Sequence, residues 1–282
     1  MMLFLCAFFT CCGALAAGSL QESRNALLHE VHDAIAQITL QRNKDIHFET
    51  IVGVMEYLSN ADPNDVQELY PQLQRALHSV LRRAGLEGTA ITAQWNRKNT
   101  PGSYATDLQN SAVVGARLGK HQNTDANIIA VMLHELSHIK HHDIQARHKV
   151  GICGILALVC SAMALVGATR LYGVGSQYTA IALLFVAVLQ LALPIYSLQL
   201  AQFQEKRADL FAAEHGFALD LAEDLAAFRD ENPGYMAINK NWFVRFVARY
   251  LENQHPEVDE RIRYLKEYHA QNNRAQESVP TS

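Results

Sequence analysis

Ala130-Val131-Met132-Leu133-His134-Glu135-Leu136-Ser137-His138 is the stretch on which fold and chemistry turn. With Ile128 and Ile129 before it, the run is apolar except at its chemical positions, which predicts a largely buried helix. The helix is expected to start near Thr124-Asp125, with Asn127 in its first turn, and to run to about His142. Histidines four apart lie on one helical face, one turn apart. Two imidazoles so placed can bind one tetrahedral metal ion, leaving positions for a third ligand and a water. Glu135 is turned by about 100 degrees around the helix axis from its neighbour. It can therefore reach that water without ligating, as a general base must. Buried His and Glu side chains are unfavourable without compensation, and a metal would compensate them.

The third ligand must come from elsewhere. One class of metal peptidase places Gly and then His shortly after the motif (HExxHxxGxxH). Those positions here are His141 and Ile144, so that pattern fails. The other class takes a Glu from a later helix, followed four residues on by an Asp. Glu205 and Asp209 meet this spacing, with the small Ala208 between them. Glu205 is then the third ligand. Asp209, one turn further, is placed to hydrogen-bond the far nitrogen of a ligand imidazole and fix its tautomer. His141 and His142 are read as solvent-side residues of the helix end.

Between the two halves of this set lies an apolar stretch. Residues 150–169 carry no charge, Arg170 interrupts, and residues 171–204 carry none. A bilayer core takes about 20 apolar residues per helix. The pattern predicts a transmembrane helical hairpin turning at Tyr172-Gly173-Val174-Gly175-Ser176, with its second helix around residues 179–198. It also explains the composition: apolar residues make up 49% of the 282, and charged residues only 18%, where about 25% is usual.

Residues 1–21 are also uncharged, and Ala14-Leu15-Ala16 resembles a small-x-small cleavage site. A cleaved signal peptide and a retained membrane anchor both remain open. Residues 22–100 show two amphipathic stripes. One is formed by Ala26, Leu27, Val31, Ile35 and Ile38; the other by Leu69, Leu73, Leu77 and Leu81, entered through the turn Ala61-Asp62-Pro63-Asn64. Thr89-Ala90-Ile91-Thr92-Ala93 and Ser111-Ala112-Val113-Val114 predict short strands separated by Asn99-Thr100-Pro101-Gly102. Cys6, Cys11, Cys12, Cys153 and Cys160 all sit in apolar runs without CxxC spacing, which argues against a Cys-ligated zinc site or a disulfide framework. With a net charge of -4 and no Lys/Arg run, nucleic-acid binding is not expected.

The chain resembles the HtpX-like and CAAX-prenyl-protease family of zinc peptidases. The resemblance rests on the 130–138 run, the hydrophobic insert, Glu205-Lys206-Arg207-Ala208-Asp209, and His255-Pro256-Glu257-Val258-Asp259-Glu260-Arg261-Ile262. Together these cover roughly residues 100–265. The resemblance implies a zinc-dependent endopeptidase of the gluzincin type with one Zn2+ per chain, acting on membrane-associated or misfolded proteins. His134, His138 and Glu205 would be the metal ligands and Asp209 their support. Glu135 would be the catalytic base, with His255 stabilising the oxyanion. Arg261 reads as a structural ion-pair partner. The alternative is a zinc-binding membrane chaperone or regulatory protein with secondary or no proteolysis.

The expected fold class is α+β and mainly helical: a zincin-like catalytic domain with a small sheet and an inserted transmembrane helical hairpin. Residues 1–21 form the signal peptide or anchor, and 22–148 the first part of the peptidase domain with the 134–138 helix. Residues 149–204 form the hairpin, and 205–282 the second part with the third ligand. A backbone edge over 113–116 could pair with an extended substrate. The expected setting is a multi-pass protein of the bacterial inner membrane that meets protein or peptide substrates and the lipid bilayer. Arg147, Lys149, Lys206 and Arg207 flank the hairpin on the catalytic side, against Arg170 in its turn, which favours a cytoplasmic site. A cleaved signal peptide would put the site outside, so the side stays open, as does the oligomeric state.

Overall fold

The computed structural model describes residues 18–41, 46–87, 104–106, 111–113, 124–174, 176–231 and 257–277. The expected signal or anchor at 1–17, the strand at 89–93, the turn at 99–102, most of the 113–116 edge and His255 lie outside the described residues.

Helix α1 (Gly18–Ala36) buries Leu27, Val31 and Ile35, the stripe read from the sequence. Helix α2 (Ile51–Asn60) opens at Thr50, whose side chain accepts from the Gly53 N–H. Asp62 caps α3 (Pro63–Ala76), with Pro63 in the first turn. The stripe from Leu69 to Leu81 is not one helix. It breaks at Leu77, and α4 (His78–Ala84) continues it to Gly85, which closes the helix at φ 71°.

The central element is α5 (Asp125–Lys140), buried along nearly all of its length and in contact with α2, α4 and the three helices that follow it. A reciprocal cap starts it. The Asn127 N–H donates to Thr124 Oγ1 at 3.2 Å, and the Thr124 N–H donates to Asn127 Oδ1 at 3.0 Å. Asp125 ties it to the amino-terminal helices, accepting the N–H groups of Ile51 at 2.9 Å and Val52 at 3.1 Å and meeting His32 Nε2 at 2.8 Å.

After α5 the helical path breaks at His142, which takes the left-handed conformation at φ 54°. Helix α6 (Asp143–Tyr172) and α7 (Gln177–Glu214) then form the hairpin. At 30 and 38 residues they reach about 45 and 57 Å, against a bilayer hydrocarbon core of about 30 Å. Both are long and apolar enough to cross a membrane. Within the apolar spans the side chains point outward, Phe185 at 65% exposure among them, and almost none is buried; the apolar residues of α7 that are buried lie at its far end, Ala208, Phe211 and Ala212 among them. A hairpin buried inside a soluble core would show the opposite. The ends of both helices run past the apolar segment, so α6 begins at Asp143 and α7 carries Glu205 and Asp209. Helices α8 (Ala218–Glu231) and α9 (Val258–Glu277) close the fold by packing on each other and on α7; α9 buries Val258, Ile262 and Leu265.

The expected α+β class with a small sheet is corrected to a helical class. Two three-residue segments, β1 (Tyr104–Thr106) and β2 (Ser111–Val113), pair antiparallel beside α5, and no further strand occurs among the described residues. A ladder this short cannot bury a face of its own. The core is built from helix faces, Leu69, Leu73, Ile129, Leu133, Leu136 and Phe217 among them.

Candidate metal centre

The buried carboxyl-terminal half of α5 meets α7 where α7 leaves the apolar hairpin. His134, His138, Glu205 and Asp209 are 7%, 7%, 2% and 0% exposed. His134 Nε2 lies 3.3 Å from His138 Nε2 and 3.4 Å from Glu205 Oε2, and His138 Nε2 lies 3.5 Å from Glu205 Oε1. One ligand atom from each of the three residues falls within 4.8 Å of the other two. A tetrahedral ion with bonds of about 2.0–2.2 Å has ligand atoms about 3.3–3.6 Å apart. The donor set therefore fits a single metal ion of that size.

The opposite face of each imidazole meets a carboxylate. His138 Nδ1 is 2.8 Å from Asp143 Oδ2. His134 Nδ1 is 2.8 Å from Asp209 Oδ1, close in distance though poorly aligned as a hydrogen bond. Each carboxylate favours the proton on Nδ1, which turns the Nε2 lone pair toward the shared point. Two lone pairs and a carboxylate oxygen then converge in a buried place, an arrangement that needs positive charge at its centre. In the metal-free chain a proton on His134 supplies part of it, beside the Arg147 contact to Glu205. Burial opposes the imidazolium of His134, but Asp209 and Glu205 outweigh burial and hold its pKa up to about 10.

The surrounding charges come from α6, α7 and α9. Arg261 donates from Nε to Asp209 Oδ2 at 2.7 Å and from Nη2 to Asp209 Oδ1 at 2.6 Å. Burial works against the charge of Asp209, yet Arg261 and His134 hold its carboxyl well below the usual range. Tyr264 also donates to Asp209. Burial, together with that carboxylate, pushes the phenol's pKa well up, so it stays protonated. Arg147 reaches Glu205 Oε1 at 3.2 Å, and Arg207 pairs with Asp143.

Of the residues read from the sequence, His134, His138, Glu205 and Asp209 are brought together. Glu135 is 8% exposed, on the turn of α5 between the two histidines. His255 is outside the described residues. His142 is exposed, whereas His141 is half-buried with Nδ1 2.8 Å from the Ser137 carbonyl oxygen. Asp143, Arg147, Gln204, Arg207 and Tyr264 were not anticipated as parts of the site. The available signal for Asp143 was an Asp directly after two consecutive histidines that end a helix, a place where the chain can fold back.

Among known protein families, Peptidase family M48 matches residues 68–269. No curated protein and no solved structure gives a significant match.

Proposed function

The chain belongs to Peptidase family M48 and is a metallopeptidase, and from that premise we propose a membrane-anchored zinc endopeptidase that hydrolyses membrane-associated or misfolded proteins. The observation that carries this reading is the convergence of His134 Nε2, His138 Nε2 and the Glu205 carboxylate with both Nδ1 atoms facing carboxylates. A zinc ion held by these three residues would supply a Lewis acid for the scissile carbonyl and for the attacking water. Glu135 takes the proton from that water and returns it to the leaving amine as the peptide bond breaks. Asp209 and Arg261 keep His134 oriented. His255 is the proposed oxyanion stabiliser. Its support is its place just before α9, the helix that carries Arg261 into the site. By that role His255→Ala lowers kcat by about 100-fold.

The hairpin supports a multi-pass setting in a membrane, and the resemblance to HtpX-like peptidases favours a bacterial inner membrane. The site then lies at the hairpin base, close to the bilayer surface, where substrates emerging from the membrane are met. The test is casein degradation by the purified chain with and without chelator, alongside Glu135→Gln. The variant should keep zinc and lose cleavage. Unchanged proteolysis by the variant would sink the mechanism. Zinc binding by the unaltered chain without cleavage would favour the chaperone alternative.

A further inference from the structure

We propose that Asp143 is a positioning residue for His138, and that through Arg207 it ties the metal geometry to the base of the hairpin. The proposal rests on the zinc reading above.

In an uninterrupted helix a residue five positions after His138 would sit about 140 degrees around the axis from it, facing away. The left-handed His142 ends α5 and turns the chain so that Asp143 opens α6 facing back toward His138. A histidine there is uncommon; its backbone N–H donates to the Ile139 carbonyl oxygen at the end of α5, and its side chain makes no cap hydrogen bond to α6. The conformation delivers the Asp143 carboxylate, 1% exposed, to His138 Nδ1 at 2.8 Å. Its other oxygen accepts from Arg207 on α7. Its backbone carbonyl accepts from Gln204 Nε2 of α7 at 3.2 Å, and Gln204 Oε1 accepts from Arg147 Nε of α6 at 2.6 Å. These contacts stitch the first turns of α6 to the last turns of α7, directly below the apolar spans. The same stitch reaches two of the three candidate ligands: His138 through Asp143, and Glu205 through Arg147.

Asp209 and Asp143 thus divide the work. The first orients His134 from α7, and the second orients His138 from α6. If the two arms of the hairpin shift relative to each other, Asp143 and Arg207 part, and His138 loses the partner that fixes its tautomer.

A purely structural Asp143 would sit in the first turn of α6 and pair with Arg207 without affecting metal affinity. Zinc affinity of the full-length chain in detergent micelles, measured by chelator competition, separates the two roles. It is read beside the metal-free melting curve and the visible spectrum of the cobalt(II) form. Asp143→Asn is expected to bind zinc about 10–100-fold more weakly, with shifted cobalt bands and little change in metal-free melting. Arg207→Gln should weaken binding in the same direction but less, and Arg207→Lys should recover part of it. Wild-type zinc affinity and an unaltered cobalt spectrum in Asp143→Asn would overturn the proposal. Should that variant not fold, an unchanged affinity in Arg207→Gln overturns it instead. Failure of the unaltered chain to bind zinc removes the zinc reading and this proposal together.

Discussion

Arg261 grips both oxygens of Asp209, at 2.7 and 2.6 Å, while the same carboxylate lies 2.8 Å from His134 Nδ1. A residue of the last helix thus stands behind a candidate ligand of the central one. Replacing Arg261 with Ala leaves Asp209 buried beside His134 with its main partner gone. Removing one member of a buried pair destabilises by about 3–5 kcal/mol. The expected outcome is a lower unfolding midpoint together with weaker zinc binding. An unchanged midpoint would show that the pair does not hold α9 in place.

Metal removal should be visible in stability. With the cation gone, the converging groups lose their common partner, and what remains is the proton on His134 and the Arg147 contact to Glu205. Zinc at about 1,000 times its dissociation constant adds about 4.1 kcal/mol to the folded state. Thermal scans of the detergent-solubilised chain with zinc and with chelator should therefore separate clearly. Superimposed curves count against a resident ion.

Zinc binding should release a proton. His134 is held up to about 10 from its ordinary 6.5, with burial opposing and with Asp209 and Glu205 raising it. A raised folded value stabilises the metal-free fold fully below about pH 6.5, and that contribution is lost as pH climbs toward 10. Over the same window zinc affinity should rise by about tenfold per pH unit, because the ion displaces the proton. Calorimetric titration in buffers of different ionisation enthalpy reads the proton directly. Binding heats independent of buffer would contradict it.

Gly216 tests the docking of α1. Its φ is +91°, and a Cβ there would lie 2.6 Å from the Leu20 carbonyl oxygen and 2.9 Å from Arg24 Cβ. Gly216→Ala should destabilise by at least about 1–2 kcal/mol from backbone conformation alone. It should also loosen α1, whose Arg24 holds Asp220 at 2.8 and 2.6 Å. Limited proteolysis cutting α1 faster than in the unaltered chain is the expected sign; identical digestion and melting would show that α1 docks elsewhere.

A reporter fused after Ser282 should read as cytoplasmic. Lys149 and Lys206 are exposed at the hairpin base, where Arg147 and Arg207 also lie, while Arg170 stands alone at the far turn. A reporter active only outside the membrane would reverse that orientation.

Much of the candidate site is legible in one dimension because its spacing follows helical periodicity. His134 and His138, and again Glu205 and Asp209, are each one turn apart, and a helix turns any such pair to one face. The hairpin was legible for a similar reason: length and lack of charge are properties of the chain itself. The small sheet was over-read. Short β-branched runs predict strands, but a strand pair becomes a layer only when its neighbours bury it, and here the helices take that role. The stripe from Leu69 to Leu81 kept its apolar period while the backbone broke at Leu77, since periodicity records which face is buried and not whether the axis is continuous.

The sequence by itself determined the donor types, the helical spacing that pairs them, and the apolar hairpin that separates the two halves of the site. The tertiary structure decided which charges stand behind those donors. Asp143 reaches His138 only because His142 turns left-handed. Arg261 reaches Asp209 across 52 residues, and Arg147 reaches Glu205 across 58. Contacts of that kind have no period. They exist because packing brings distant helices together around buried charges that cannot be left without partners, and no local pattern in the chain records which partner will be taken.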